Sequence, residues 1–366
     1  MGFSCGFVGL PNVGKSTIFN ALSHGGAAAA NFPFCTIEPN TGIVQVPDER
    51  MLVLAKLEGS KELIPTTLKF IDIAGLVEGA SQGQGLGNKF LGHIRNVDAV
   101  AHVVRAFSDP DVVHVSGKLN PARDLEVIMT ELMLSDIESL ERRMEKSRKQ
   151  LRSGDKDIKE ELDFAQSCLD ALSDGRIPAY DVHDLAEVEM VKRLGLLSMM
   201  PAFVVANVDE ATFMSFGKDE ATAELIRVAT EKGMEVVPVC GKLEDELSQL
   251  DDEEAKIFLE DLGIKESGLV RVIHTAFRLL DYITFFTVGP KEAHAWTITK
   301  GMTAPEAAGQ IHTDLCRGFI RMETVSYEDM VKFGGWNGAQ ANGRLRIEGK
   351  DYVVQDGDVI HVRFSV

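Results

Sequence analysis

The sequence has few cysteines, and their positions exclude two kinds of structural stabilisation. The 366 residues contain five of them, Cys5, Cys35, Cys168, Cys240 and Cys316. Scattered cysteines in an odd number, without a CxxC pair, give neither a disulfide framework nor the ligand spacing of a zinc site. This pattern is typical of a reducing compartment, so we expect a cytoplasmic protein.

Long hydrophobic runs are also absent. The longest apolar stretch, Gly195 to Ala206, is interrupted by Ser198 and Pro201, and it is shorter than the roughly 20 residues that span a bilayer as a helix. The N-terminus lacks the basic region and cleavage site of a secretory signal. It begins Met-Gly, but Gly6 stands where a myristoylation motif has Ser or Thr. We therefore expect no membrane partner.

Positive charge is scarce over most of the chain. There are 38 Lys and Arg against 56 Asp and Glu, a net charge of −18. Residues 283–366 contain 9 basic and 10 acidic residues, so the other residues, with 29 basic and 46 acidic side chains, contribute −17. Because phosphate contacts dominate affinity for nucleic acids, we expect no DNA partner. RNA would need a local basic patch, and the C-terminal segment offers Arg317, Arg321, Arg344 and Arg346.

Short apolar segments alternate with helical patterns in two parts of the chain. Strands are predicted at Phe3–Gly9, Leu68–Asp72 and Ala99–Arg105, and the pattern returns at Pro201–Asn207 and Glu235–Cys240. Strands of this kind, bounded by helices, are typical of a doubly wound parallel sheet in an α/β protein.

The segment between these two parts has the pattern of a helical hairpin. Apolar residues recur every three to five positions from Leu125 to Met144 and, after a turn at Gly154, from Ile158 to Leu172. The apolar seam is narrow enough for a coiled coil. We interpret residues 122–198 as an α-helical coiled-coil insertion, and as a solvated structural arm in preference to an active element.

The pattern changes again after Asp281. Short alternating segments surround one helix near Ala304–Leu315, which predicts a β-grasp type domain at 283–366. The predicted organisation is thus one α/β domain made of 1–121 and 199–282, the hairpin at 122–198 inserted within it, and the C-terminal domain.

A phosphate-binding motif follows the first predicted strand. Residues Gly9–Ser16, GLPNVGKS, match GxxxxGK[ST] at every fixed position and precede a predicted helix at Thr17–Leu22. Backbone N–H groups of such a loop and the helix N-terminus bind phosphate oxygens, Lys15 adds positive charge, and Ser16 supplies a hydroxyl to Mg²⁺. The predicted nucleoside triphosphate site comprises Asn12, Val13, Gly14, Lys15, Ser16 and Thr17.

Two further segments complete this P-loop site. The DxxG motif Asp72–Gly75 ends a predicted strand, so Asp72 can hold Mg²⁺ through water and the Gly75 N–H can meet the γ-phosphate. Thr36 lies between the two motifs and can close over Mg²⁺ and the γ-phosphate. We therefore predict Ser16, Thr36 and Asp72 as the metal site, and Lys15, Thr36 and Gly75 as catalytic residues.

These motifs resemble those of the YchF family of Obg-related P-loop ATPases, and the resemblance extends over nearly the whole chain. Its most specific parts are Gly6–Thr17 and Asp72–Ala80, continuing to Leu91. The resemblance implies a TRAFAC-class P-loop NTPase fold with a coiled-coil insertion and a C-terminal TGS domain. It also implies an ATP-hydrolysing switch in translation or stress regulation that binds the ribosome, as large subunit or 70S, and contacts RNA only there. A ribosome-associated GTPase and a nucleotide-stabilised binding module with little hydrolysis are the alternatives.

The base-reading segment departs from the GTPase pattern. GTPases usually read guanine with Asn-Lys-x-Asp, whereas the chain has Asn207-Val208-Asp209-Glu210. Glutamate moves the carboxylate by about one methylene and spoils a bidentate contact, so Asn207 can bond the adenine edge while Val208 packs on the ring. This resembles the NxxE variant that accompanies ATP preference in the YchF family, although the residues alone do not separate ATP from GTP. The turn Cys240–Lys242 resembles the last base-contacting loop of GTPases, although its sequence departs from the usual one.

The residue that orients the attacking water is missing from its usual place. Ras-like enzymes have a Gln directly after DxxG, and here that position is Leu76. One substitute is K⁺ held with the help of Asn12, as in potassium-dependent relatives. The other is His114, whose ordinary pKa suits proton transfer at neutral pH, or which is simply an exposed loop histidine. We expect slow intrinsic hydrolysis in either case.

Overall fold

The computed structural model describes residues 4–24, 40–73, 86–108, 119–150, 156–181 and 184–365. The predictions for Thr36, Gly75, Leu76 and His114 lie outside these ranges. Within them, no helix is both long enough and apolar enough to cross a membrane.

The strands are β1 (Ser4–Gly9), β2 (Thr41–Gln45), β3 (Glu62–Ile64), β4 (Thr67–Asp72), β5 (Ala99–Ala106), β6 (Ala202–Val208), β7 (Val236–Val239), β8 (Tyr282–Val288), β9 (Glu292–Thr299), β10 (Phe319–Ser326), β11 (Arg346–Glu348) and β12 (Asp358–Phe364). The helices are α1 (Lys15–His24), α2 (Glu49–Glu58), α3 (Leu86–Ile94), α4 (Pro121–Gln150), α5 (Lys156–Ser173), α6 (Leu185–Leu194), α7 (Glu210–Met214), α8 (Glu220–Glu231), α9 (Gly241–Leu247), α10 (Asp252–Asp261), α11 (Gly268–Leu279), α12 (Ala304–Ile311), α13 (Thr313–Arg317), α14 (Tyr327–Phe333) and α15 (Trp336–Ala341).

The first sheet has the strand order β2-β4-β1-β5-β6-β7. All of its neighbours are parallel except β2, which runs antiparallel to β4. Every residue of β1 and β5 is buried, because helices cover both faces of the centre of such a sheet. The predicted doubly wound sheet is therefore confirmed.

The register of this sheet brings the ends of distant strands together. Phe7 pairs with Asp72 and Arg105 pairs with Asn207. Because β1, β4, β5 and β6 are parallel, the segments that follow them leave the sheet at the same edge. In open α/β sheets, ligands bind at this edge.

The predicted helical hairpin is formed by α4, with 30 residues, and α5, with 18. Its apolar seam belongs to the same hydrophobic core as the first sheet, from Leu125 at one end to Leu172 at the other. Asp136 on α4 is fully buried and accepts hydrogen bonds from the backbone of Leu197 (2.9 Å) and Ser198 (2.8 Å). The interpretation as a solvated arm is therefore wrong for the base of the hairpin, which is anchored in the core.

The second sheet has the strand order β11-β10-β12-β8-β9-β3. The single helix predicted at Ala304–Leu315 is wrong, because the chain leaves the helical conformation at His312 (φ −161°) and splits it into α12 and α13. Helices α14 and α15 were not predicted. The domain limits 1–121 with 199–282, 122–198 and 283–366 stay a prediction.

A segment from the N-terminal part of the chain completes the second sheet. Between β2 and β4 the chain forms α2 and β3, and β3 pairs in parallel with β9. Helix α2 contributes Met51, Leu54 and Ala55 to a core that includes Phe286 and Val325. The two sheets are thus connected by packed structure as well as by the chain that runs from α11 into β8.

Candidate nucleotide-binding site

The phosphate loop turns sharply between β1 and α1. Asn12 (φ 63°) and Gly14 (φ 84°) both adopt left-handed conformations. Such residues turn successive backbone N–H groups toward one concave side and make an anion-binding nest. Helix α1 begins directly after this turn, with a hydrogen bond of 3.0 Å from Ile18 N to Gly14 O. The loop and the helix N-terminus together suit a bound phosphate chain.

Asn207 supports the phosphate loop from the end of β6. Its Nδ2 donates a 3.0 Å hydrogen bond to Val13 O, and a Cβ atom on Gly14 would lie only 2.1 Å from the same Nδ2. Glycine is therefore required at position 14 by its backbone conformation and by this contact. One N–H of the Asn207 amide is committed to the loop, which leaves its Oδ1 and its second N–H for a nucleotide base.

Lys15, Ser16 and Asp72 converge beside the loop. The Lys15 Nζ forms an ion pair with Asp72 Oδ1, and the Ser16 Oγ donates a 3.0 Å hydrogen bond to Asp72 Oδ2. Lys15 is buried, with 8% exposure, so its charge is directed into the site. The structure thus brings together three of the residues that the motifs predicted to act on one phosphate chain.

The hydroxyl of Ser16 and the carboxylate of Asp72 are hard oxygen donors of the kind that Mg²⁺ prefers. They lie within hydrogen-bonding distance of each other, which places both on one side of a potential ion. In the described ranges, no group of three or more His, Cys, Asp or Glu is arranged to hold a metal. A Mg²⁺ at Ser16 and Asp72 would take its remaining ligands from phosphate and water, as is usual for this ion.

Thr36, Gly75 and His114 lie outside the described residues, but the flanks of the first two are paired. Thr41 at the start of β2 pairs with Ile71 of β4, and Asp72 N donates a 2.9 Å hydrogen bond to Asn40 O. Residues 40–41 and 71–72, on the described chain near these two positions, are therefore held side by side.

The base-reading segment is only partly arranged as expected. Val208 is 2% exposed and packs in the hydrophobic core, so the predicted packing of its side chain on a base ring is wrong. Glu210 is exposed at the start of α7. Asp209, to which the sequence analysis gave no role, caps this helix through a 2.8 Å bond from Thr212 N. Aspartate before a helix is a known capping signal that predicts this role.

The turn at Cys240–Lys242 does lie beside Asn207, as its resemblance to a base-contacting loop implied. A Cβ atom on Gly241 would be 3.6 Å from Asn207 Oδ1 and 3.7 Å from Thr17 Cγ2. The ends of β6 and β7 and the start of α1 therefore enclose one side of the candidate site.

Two protein-family models match the chain. Residues 4–164 match MMR_HSR1, described as a 50S ribosome-binding GTPase. Residues 282–365 match YchF-GTPase_C, described as a protein of unknown function. The first match contains the phosphate loop and the second contains the second sheet except β3.

Bacterial proteins named ribosome-binding ATPase YchF resemble the chain over its whole length. The protein of Haemophilus ducreyi is 51% identical over 366 residues, and those of Bacillus subtilis and Escherichia coli O157:H7 are 50% and 49% identical over 367 residues. Each alignment covers 100% of both chains. Among solved structures, that of the Schizosaccharomyces pombe YchF GTPase has a TM-score of 0.88 at 36% identity, covering 99% of this chain and 97% of that one. The resemblance inferred from the motifs is confirmed.

Proposed function

The chain belongs to the YchF family, and from this premise we propose that it is a ribosome-binding ATPase that hydrolyses ATP to ADP and phosphate as a switch in translation or stress regulation. The observation that supports this most directly is the convergence of Lys15 and Ser16 on Asp72 beside the phosphate loop. One cation, one hydroxyl and one carboxylate in this arrangement suit a triphosphate with its metal ion.

The residues of the site have separate tasks in this proposal. Backbone N–H groups from Asn12 to Thr17 surround the phosphates, and Lys15 moves from Asp72 to the β- and γ-phosphates. Ser16, Thr36 and Asp72 would hold Mg²⁺, and the ion would neutralise charge that develops on the phosphates. Gly75 donates its N–H to the γ-phosphate.

Attack by water needs a replacement for the missing Gln at position 76. We propose K⁺ held with Asn12, or His114 as a proton acceptor, and in both cases turnover is slow without a partner. Exchange of K⁺ for Na⁺ should slow phosphate release if the ion acts. The substitution His114→Gln should slow it if the side chain acts.

ATP is the proposed substrate in preference to GTP. The bacterial relatives are named ATPases, whereas the Schizosaccharomyces pombe protein is named a GTPase. Glu210 in place of the usual Asp supports ATP, because the bidentate contact to guanine is lost. Competition between ATP and GTP for the purified protein separates the two, and tighter binding of GTP would favour the alternative.

The proposed partner is the ribosome, as large subunit or 70S, with RNA contacted only there, and the proposed location is the cytoplasm. The names of the relatives support the partner. Co-sedimentation with ribosomes in the presence of ATP, ADP or GTP tests it. If the protein sediments with ribosomes in none of these states, the proposed partner is wrong.

The substitution Lys15→Ala tests the site itself. We expect ATP affinity to fall by at least about tenfold, because a charge-assisted contact to phosphate contributes about 1.5–3 kcal/mol, while the melting temperature changes little. Calorimetric titration with Mg-ATP and single-turnover phosphate release give the two readings. Lys218→Ala, at an exposed lysine after α7, is the matched control and should bind ATP like the unaltered protein. Unchanged binding by Lys15→Ala would contradict the proposal.

A further inference from the structure

A buried carboxylate lies behind the base side of the site. Glu244 is on the first turn of α9 and is 3% exposed. In the described part of the chain it takes part in no ion pair, and burial raises its pKa to about 7. Its Oε1 instead accepts hydrogen bonds from the backbone N–H groups of Gly268 (2.7 Å) and Leu269 (3.3 Å). A buried carboxylate without a cation is costly to retain, and a packing role alone does not require one.

These two N–H groups belong to the start of α11, which is a firmly packed helix. Its residues Leu269, Val272, Ile273 and Ala276 are in the main hydrophobic core. A Cβ atom on Gly268 would lie 3.0 Å from both Pro238 O and Val239 Cα, so the helix N-terminus also sits against β7. Helix α11 therefore provides a fixed point for Glu244.

Helix α9 connects Glu244 to the nucleotide site. Glu244 N donates a 3.0 Å hydrogen bond to Cys240 O, so Glu244 is within one helical turn of the Cys240-Gly241 turn. Gly241 in turn adjoins Asn207 Oδ1 and Thr17. A shift of α9 at Glu244 would move Gly241 by a similar distance, because one turn of helix is stiff on this scale.

We propose that Glu244 is a positioning residue for the nucleotide base, which holds the Cys240-Gly241 turn against Asn207 by binding α9 to the N-terminus of α11. The inference rests on the proposed nucleotide-binding function. It concerns the base side first, because the Cys240-Gly241 turn adjoins the Oδ1 end of the Asn207 amide, whereas Lys15 and Ser16 contact Asp72 on β4. Loss of Glu244 should therefore weaken binding of a nucleotide more than binding of a bare phosphate chain.

The test compares Mg-ATP with Mg-tripolyphosphate in calorimetric titrations. Glu244→Ala should weaken ATP binding about tenfold, which corresponds to about 1.4 kcal/mol, and leave tripolyphosphate binding within about twofold. KM for ATP should rise while kcat stays near its original value. Glu244→Gln keeps an acceptor oxygen and should restore most of the affinity. Asp219→Ala controls for the loss of a helix cap. It removes the acceptor of the 2.9 Å hydrogen bond from Thr222 N at the start of α8, which is as long as α11. This variant should bind both ATP and tripolyphosphate like the unaltered protein.

Hydrogen exchange on the unaltered protein keeps the test decisive if Glu244→Ala does not fold. Saturating ATP should slow exchange of the Gly268 and Leu269 amides, because coupling between two sites is reciprocal, and should leave Thr222 unchanged. Equal losses of ATP and tripolyphosphate affinity in Glu244→Ala, or unchanged exchange at Gly268, would overturn the proposal. Failure of the unaltered protein to bind ATP would instead overturn the proposed function.

Discussion

At the scale of single residues, the phosphate loop depends on a side chain 194 positions away. Asn207 Nδ2 bonds to Val13 O and occupies the space next to Gly14. The phosphate-loop motif identifies Gly14 and Lys15 because their spacing is local. The bond from Asn207 to Val13 has no local signal, since it arises only when β6 is placed beside β5 and β1 in the sheet.

A double-mutant cycle measures this dependence. We expect Gly14→Ala to destabilise the loop for two reasons. The new Cβ would overlap Asn207 Nδ2, and the alanine backbone would have to adopt a positive φ that is unfavourable for it. Asn207→Ala should cost about 1–3 kcal/mol, because it leaves a buried carbonyl without this donor. In the double variant the overlap is gone, so the combined loss of unfolding free energy should be smaller than the sum, with a coupling of about 1 kcal/mol or more. Chemical denaturation measures it, and additive losses would contradict the overlap.

His102 gives a second prediction at this scale. It is 1% exposed on β5, its Nδ1 has no hydrogen-bond partner among the described residues, and burial lowers its pKa to about 4. In the unfolded chain the pKa of this histidine is the ordinary value of 6.5, so the unfolded state binds a proton at a higher pH than the folded state does. The unfolding free energy therefore falls as the pH is lowered from about 6.5 to about 4. This one group should reduce the unfolding free energy by about 2 kcal/mol from pH 7 to pH 5.

The measurement is urea denaturation between pH 4.5 and pH 7.5 for the unaltered protein, His102→Gln and the control His312→Gln. The first substitution should flatten part of the acid slope, and the second should not, because His312 is exposed. His294 also has a pKa lowered to about 4 by burial, so some slope should remain. An unchanged slope in His102→Gln would show that His102 is not the titrating group.

At the scale of helices and strands, the sequence predicted the elements whose hydrophobic pattern is contained in one long, continuous segment. The mostly apolar runs of β1 and β5 and the regular spacing of apolar residues along α4 and α5 indicate directly that these elements are buried. It did not predict β3, because three residues carry no period and the strand exists only through its pairing with β9. The break at His312 was missed for a related reason, since the apolar spacing continues across it.

In the candidate site too, residues in local motifs were predictable, whereas residues placed by the folded sheet were not. The motifs at Gly9–Ser16 and Asp72 identify the residues proposed to bind phosphate and Mg²⁺, because their spacing along the chain is fixed. Val208 was misread, since its position in a base-reading motif suggested exposure while its place on β6 buries it. Glu244 carries no sequence signal at all, because an acidic residue near a helix start normally faces solvent.

At the scale of the whole molecule, α2 makes the two sheets one structural unit. Leu54 on α2 is fully buried against the second sheet. Arg50 forms a 2.7 Å ion pair with Asp356, and Glu58 Oε1 accepts a 2.7 Å hydrogen bond from Trp336 N. The strands on either side of this segment, β2 and β4, lead to the nucleotide site. We therefore expect both sheets to unfold in one transition, although each has its own core.

The substitution Leu54→Ala tests this cooperativity. Removing a fully buried leucine side chain should reduce the unfolding free energy by about 2–5 kcal/mol. Leu52→Ala on the same helix is the matched control and should have little effect, because Leu52 is 57% exposed. Both tryptophans, Trp296 and Trp336, lie in the C-terminal part of the chain, so their fluorescence reports the second sheet, while binding of a fluorescent ATP analogue reports the first. If α2 couples the sheets, Leu54→Ala lowers both midpoints together. A fall in the tryptophan midpoint alone would mean that the second sheet unfolds independently and that α2 belongs energetically to it.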